Sequence, residues 1–74
     1  MRVHITLDPD CSPQEFDPQE VRSQLEEAGV REISTRHLAR FGLVSGQLDR
    51  GQFAAVEALP IVYAVEADGV VKAI

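Results

Sequence analysis

Apolar and polar residues alternate in two stretches of the chain, and a third stretch is mainly apolar, so we expect a strand in each of the three. The clearest stretch is Arg2–Leu7, where every second residue is apolar. A second covers residues 41 to 48 and contains Gly46, which inside a strand marks a close neighbour, here expected to be a packed helix. The third covers residues 61 to 66 and is followed by Asp68 and Gly69, a strong turn signal.

Start and stop signals predict two helices between these strands. We expect Asp17 to be the N-cap of the first helix, with Pro18 at its first position and Gly29 at its end. We expect Asp49 to cap the second helix and Pro60 to end it. Residues 30 to 40 give a weaker signal: they begin as a strand, and the segment HLARFG reads as a strand end or a turn.

The predicted order is β-α-β-β-α-β, followed by a short extended tail over residues 70–74, in one domain spanning residues 1–74. Two similar β-α-β halves are typical of the α+β, ferredoxin-like sandwich, with an antiparallel sheet and two helices on one face. The other face of such a sheet is left open. The residues that the alternation assigns to that face are Arg2, His4, Thr6, Ser45 and Gln47.

Composition describes a small acidic domain with a net charge of −5, which argues against a general nucleic-acid binder. The basic residues concentrate at Arg31, Arg36, His37 and Arg40, which we interpret as a solvated strand edge. No apolar run is long enough to cross a bilayer, and the N-terminal sequence lacks a signal-peptide core. We therefore expect a cytoplasmic protein without a membrane partner.

Candidate catalytic chemistry is sparse. Cys11 is the only cysteine, so we expect a tolerated surface thiol and not a nucleophile. His4 and His37 lie on different predicted elements, with no cysteine or carboxylate at ligand spacing. No Gly-rich phosphate loop is present. We expect neither a metal, nor a cofactor, nor an enzyme.

The C-terminal half, VSGQLDRGQFAAVEALPIVYAVEADGVVKAI, resembles the propeptide domain of subtilisin-type serine proteases (the inhibitor I9 family), in its stand-alone bacterial type. The resemblance lies in a strand ending at Leu48, a helix, a Pro-x-Val turn at Pro60, the segment Val65-Glu66-Ala67-Asp68, and an alternating apolar tail. It covers roughly the last thirty residues well, while the first half fits by element order. The family's second acidic position is Ala67 here.

The resemblance implies a ferredoxin-like module that inhibits or chaperones a serine protease in trans through its open sheet face and tail. It implies that two carboxylates cap the N-termini of two protease helices, an arrangement that helix dipoles favour. It also implies that the tail adds a strand in the substrate cleft, with Ile74 in the deepest pocket and Val71 in a second one. The implied binding residues are Glu66, Asp68, Val70, Val71, Lys72, Ala73 and Ile74.

The residue pattern leaves a second function open. A non-catalytic ferredoxin-like interaction or regulatory domain, which could be dimeric, would have the same alternation, since this fold carries many roles. In that case the tail would be an edge strand that pairs beside its own sheet or across a homodimer.

Overall fold

The computed structural model describes residues 1–11 and 15–68. Four strands and three α-helices alternate along this part of the chain, and a short 3-10 turn precedes the last helix. In chain order they are β1 (Arg2–Leu7), α1 (Pro18–Glu27), β2 (Arg31–Ser34), α2 (Leu38–Phe41), β3 (Leu43–Gln47), the 3-10 turn (Arg50–Gln52), α3 (Phe53–Glu57) and β4 (Val62–Ala67). The expected tail over residues 70–74 lies outside the described residues.

The strands form one antiparallel sheet in the order β2-β3-β1-β4. β1 is therefore an inner strand, bonded to β3 on one side and to β4 on the other. The described part of the chain is an α+β domain with a four-stranded antiparallel sheet, as the alternation predicts.

One core cluster joins the sheet to the helices. Every second residue of β1 is buried in it, because alternate side chains of a strand point to opposite faces. α1 and α3 contribute apolar side chains to the same cluster, so both lie on the face of β1 that carries those residues. The core residues are Val3, Ile5, Leu7, Val21, Leu25, Val30, Ile33, Leu38, Val44, Leu48 and Val56.

The start of α1 follows the predicted capping signal. The Asp17 side chain accepts a hydrogen bond from the backbone N–H of Gln19 at 3.0 Å, and Pro18 is the first helical residue. This bond satisfies one of the N–H groups that a helix start leaves unpaired. Gly29 ends the segment with φ 105°, a conformation that glycine adopts without the steric cost of a side chain.

One local prediction is wrong, and another is confirmed only in part. The segment HLARFG is neither a strand end nor a turn alone, since it contains the one-turn helix α2, which Gly42 closes in the left-handed conformation. Asp49 is the N-cap residue of the second helical segment as predicted, but its side chain makes no capping bond there. Its carboxylate instead pairs with Arg31 at 3.1 Å, and the segment starts as a 3-10 turn that becomes helical only at Phe53.

The four clustered basic residues lie only partly on a strand edge. Arg31 lies in β2, an edge strand, whereas Arg36, His37 and Arg40 lie in the turn and helix that follow it. The pairing of β2 with β3 is irregular between Arg31 and Ser34, and Glu32 there has φ 51°, which is uncommon for a residue with a side chain. The interpretation of all four residues as a strand edge is therefore corrected.

Gly46 is a close-approach glycine, but its neighbour is not a helix as expected. A Cβ atom at this position would lie 2.6 Å from Val30 Cγ1 and 3.0 Å from the Arg31 carbonyl oxygen, at the start of β2. Gly51, in contrast, has open space around its α-carbon. The absence of a side chain at Gly46 therefore allows β2 to pack against β3.

Substituting Gly46 should test this packing directly. We expect G46A to lower the free energy of unfolding by about 1–3 kcal/mol, because the added methyl group overpacks a buried site. The matched control G51A should change it by about 0.5 kcal/mol or less in either direction. Urea denaturation followed by circular dichroism measures both values. Equal stability of the two variants would contradict this packing.

Candidate functional site

The candidate site is the polar face of the sheet, defined by Arg2, His4, Thr6, Ser45 and Gln47 as the alternation predicts. The strand registers align these residues, since Arg2 is opposite Gln47 and His4 is opposite Ser45. On the other side of β1, His4 is opposite Glu66. Ser45 is also opposite Ser34 of β2, so one row of polar residues crosses all four strands. This face is less open than expected at its centre, because Ser45 is only 9% exposed.

His4 connects three strands of this row through its two ring nitrogens. Its Nδ1 atom lies 3.2 Å from the Ser45 hydroxyl oxygen, and its Nε2 atom lies 3.0 Å from Asp68 Oδ1. A neutral imidazole has one donor nitrogen and one acceptor nitrogen. A carboxylate can only accept, so the Nε2–H group donates to Asp68 and Nδ1 accepts from the Ser45 hydroxyl.

Asp68 extends the pairing of β4 with β1 by one step beyond Ala67. Its backbone N–H donates to the Arg2 carbonyl oxygen at 2.8 Å, and its Oδ2 atom lies 4.0 Å from Arg2 Nε. The Asp68 carboxylate is therefore oriented over the polar face by His4 and by a cation at the same end of the sheet. Because its side chain is 48% exposed, water screens these contacts.

Glu66 supplies a second carboxylate two residues earlier on the same strand. Residues two apart in a strand point to the same side, so Glu66 and Asp68 both face the polar side at the end of β4. Glu66 is exposed, and its side chain makes no hydrogen bond or ion pair to the residues that the structure describes. The site thus presents one oriented carboxylate and one that is open to solvent.

Ser45, His4 and Asp68 stand in the order that a serine nucleophile, its base and an orienting acid would take. Such catalysis also requires an accessible hydroxyl group and donors for the oxyanion. The Ser45 hydroxyl lies in the middle of a sheet and is largely shielded. The arrangement is better suited to orienting the Asp68 carboxylate than to attacking a substrate.

A cleft lies elsewhere, beside the start of α1. Its lining includes the apolar residues Phe16 and Ile61 and the acidic residues Glu15, Asp17 and Glu20. None of these residues belongs to the polar face. Within residues 1–11 and 15–68, no three His, Cys, Asp or Glu side chains are grouped as metal ligands would be. The helices of this same part are all too short to cross a bilayer.

Of the binding residues implied by the resemblance, the structure describes two, Glu66 and Asp68, and brings both to one end of the polar face. Val70, Val71, Lys72, Ala73 and Ile74 lie outside the described residues. The bond between His4 and Asp68 was missed, because 64 positions separate them in the chain. To predict this bond from the alternation in β1 and the position of Asp68 after β4, one would also need the register between the two strands.

Comparisons with protein-family models, with curated proteins and with solved structures find no match to this chain. The function proposed below therefore rests on the geometry of the polar face and on the sequence resemblance.

Cys11 is half-buried in the loop after β1, in an acidic environment. Partial desolvation, and then the charges of Asp8, Glu15 and Asp10, raise the pKa of the thiol. Since the thiolate is the reactive form, Cys11 is a poor nucleophile at neutral pH.

The reactivity of Cys11 should follow from this acidic surrounding. We expect iodoacetamide to alkylate Cys11 more slowly at neutral pH than it alkylates free cysteine, because less thiolate is present. D10N should raise the rate by removing one negative charge, whereas E27Q, on α1, should leave it unchanged. The pH dependence of alkylation, followed by mass spectrometry, gives the pKa. A pKa at or below that of free cysteine would contradict the expectation.

The pair of His4 and Asp68 can be tested by a double-mutant cycle with H4Q, D68N and the double variant. We expect a coupling of about 0.2–1 kcal/mol, since both side chains are more than one-third exposed. Urea denaturation measures it, and a coupling of zero would contradict the pairing.

Proposed function

We propose that this chain is a protein-binding module of the subtilisin-propeptide (inhibitor I9) type, which inhibits or chaperones a subtilisin-type serine protease in trans. The observation that carries this proposal is the presence of two carboxylates, Glu66 and Asp68, on one face and at one end of β4. Exposed N–H groups at helix N-termini bind carboxylates, and the helix dipole favours the negative charge there. Two carboxylates on a rigid strand suit two neighbouring helix ends.

The orientation of Asp68 supports this role. A side chain already held by His4 loses less conformational freedom on binding than a mobile one, so more of the interaction energy appears as affinity. Asp68 Oδ1 accepts from His4, and a carboxylate offers about four acceptor sites in total. Glu66, beside it, adds a negative charge that is open to solvent.

We further propose that the fold is the ferredoxin-like split β-α-β sandwich. The sheet order supports this topology: β3 lies between β1 and β2, and β1 lies between β3 and β4. Each β-α-β half is therefore split by a strand of the other half. The one-turn helix α2 between β2 and β3 is an addition to that plan.

In the proposed complex, residues 70–74 continue from Asp68 into the substrate cleft of the protease. The segment would pair with the cleft as an added strand, with Val71 and Ile74 in apolar pockets. The acidic end of the polar face would then fix where the tail enters. This part of the proposal rests on the sequence resemblance alone.

Inhibition assays against a panel of subtilisin-type proteases test the proposal. We expect tight-binding inhibition by the full chain. E66Q and D68N should each weaken it about two- to tenfold, because each removes a negative charge that this chain would place at the N-terminus of a protease helix. E27Q removes the same charge from the exposed side of α1 and should inhibit like the parent chain. A chain ending at Asp68 should lose most of the inhibition.

The proposal would be abandoned if no protease of the panel were inhibited at micromolar concentration. It would also fail if E66Q, D68N and E27Q inhibited equally well, since the carboxylates would then have no part in docking.

A second candidate function, a non-catalytic and dimeric interaction or regulatory domain, has one observation in its favour. Among the strands that the structure describes, β4 is an edge strand of six residues with a single charge, Glu66, and Tyr63 on it is 70% exposed. Such an edge can pair with another strand. Light scattering on the same samples separates the two functions, because an obligate dimer that does not dissociate on adding protease favours the second.

A further inference from the structure

The turn and helix between β2 and β3 form a protrusion with one buried anchor. Leu38 is 1% exposed and belongs to the core, whereas Arg36, His37, Arg40 and Phe41 are exposed. Consecutive backbone bonds hold the protrusion in shape. The Leu38 N–H group donates to the Thr35 carbonyl oxygen at 3.1 Å, and the Phe41 N–H group donates to the His37 carbonyl oxygen at 2.9 Å. We call the four exposed residues the basic–aromatic patch.

Phe41 is the apolar centre of this patch. Its side chain is 63% exposed, and its ring lies against His37 with centroids 5.9 Å apart and planes inclined by 52°. Burying an exposed aromatic side chain on association is favourable, because apolar surface is removed from water. A ring already ordered by a neighbour is a suitable anchor for a partner, since little side-chain entropy remains to be lost.

The charges of the patch differ from those of the rest of the chain. Residues 31–40 contain three arginines and one glutamate, in a chain whose net charge is −5. Arg31 is paired with Asp49, but no carboxylate among the described residues lies within salt-bridge distance of Arg36 or Arg40. Two guanidinium groups on the same segment as an exposed ring are thus available to an anionic partner.

We propose that the basic–aromatic patch binds an acidic segment of a partner protein that carries an apolar residue. Arginine donates paired hydrogen bonds to carboxylates, and arginine with an aromatic residue is a frequent centre of protein–protein binding energy. Nucleic acid fits less well. Two unpaired arginines neutralise few phosphates, and the net charge of −5 repels a long polyanion.

This patch and the acidic end of the polar face lie at opposite ends of the sheet. β3 starts at Leu43, directly after the patch, and Leu43 pairs with Thr6, whereas Asp68 bonds to Arg2. Four residues of an extended strand span about 13 Å. The two surfaces can therefore be altered separately, and the inference does not depend on the proposed protease.

Fluorescence anisotropy with a labelled peptide of glutamates around a central phenylalanine tests the inference on the full chain. We expect binding that weakens about tenfold in R40E, through lost charge-assisted hydrogen bonds, and less strongly in F41A. The matched control R22E reverses a charge on the exposed side of α1 and should bind like the parent chain. Protease inhibition and melting temperature should be unchanged in R40E, which separates this site from the polar face.

Three results would overturn the inference. The first is that the parent chain does not bind the peptide, or that the parent, R40E and F41A bind it with equal affinity. The second is tighter binding of a labelled oligothymidine than of the peptide, which would assign the patch to single-stranded nucleic acid. The third is concentration-dependent self-association that R40E abolishes, which would assign the patch to a second copy of this chain.

Discussion

Strand β1 is the constraint on which the rest of the structure depends. It pairs with β3 and with β4, so two of the three strand pairings of the described sheet involve it. Its odd-numbered residues, including Val3 and Ile5, lie in the core, and its even-numbered residue His4 lies on the polar face. A shift of one residue in register would exchange the two faces, burying His4 and exposing both apolar side chains. The core and the candidate site are therefore fixed by the same pairing.

Strong local signals predicted much of this fold. The alternation in Arg2–Leu7 and the capping residue Asp17 identify β1 and the start of α1, because their causes lie within a few residues. The helix α2 could not be predicted in this way. It buries only Leu38, and a single turn is too short for a helical period to be visible. Gly46 was recognised as a close-approach position, but the neighbour is set by the sheet order, which one sequence does not display.

The residues of the candidate site could be predicted individually, but the contact between His4 and Asp68 could not. The family resemblance implied Glu66 and Asp68 as a pair, and the alternation assigned His4 to the open face. Neither gave a reason to connect His4 with Asp68. That connection requires β4 to return beside β1 in one register, which places Asp68 Oδ1 3.0 Å from the His4 ring. The result is a small acidic domain with an ordered carboxylate at one end of its sheet and a basic–aromatic protrusion at the other.

The most direct test of the central claim, that the polar face is the docking surface, is a map of amide chemical shifts on adding a catalytically inactive subtilisin. We predict the largest changes at His4, Ser45 and Glu66, which form one row across the inner strands and β4. The amides of α1 should change little, since that helix packs on the opposite side of the sheet. Changes confined to α1 and α3, with His4 and Glu66 unaffected, would contradict the account.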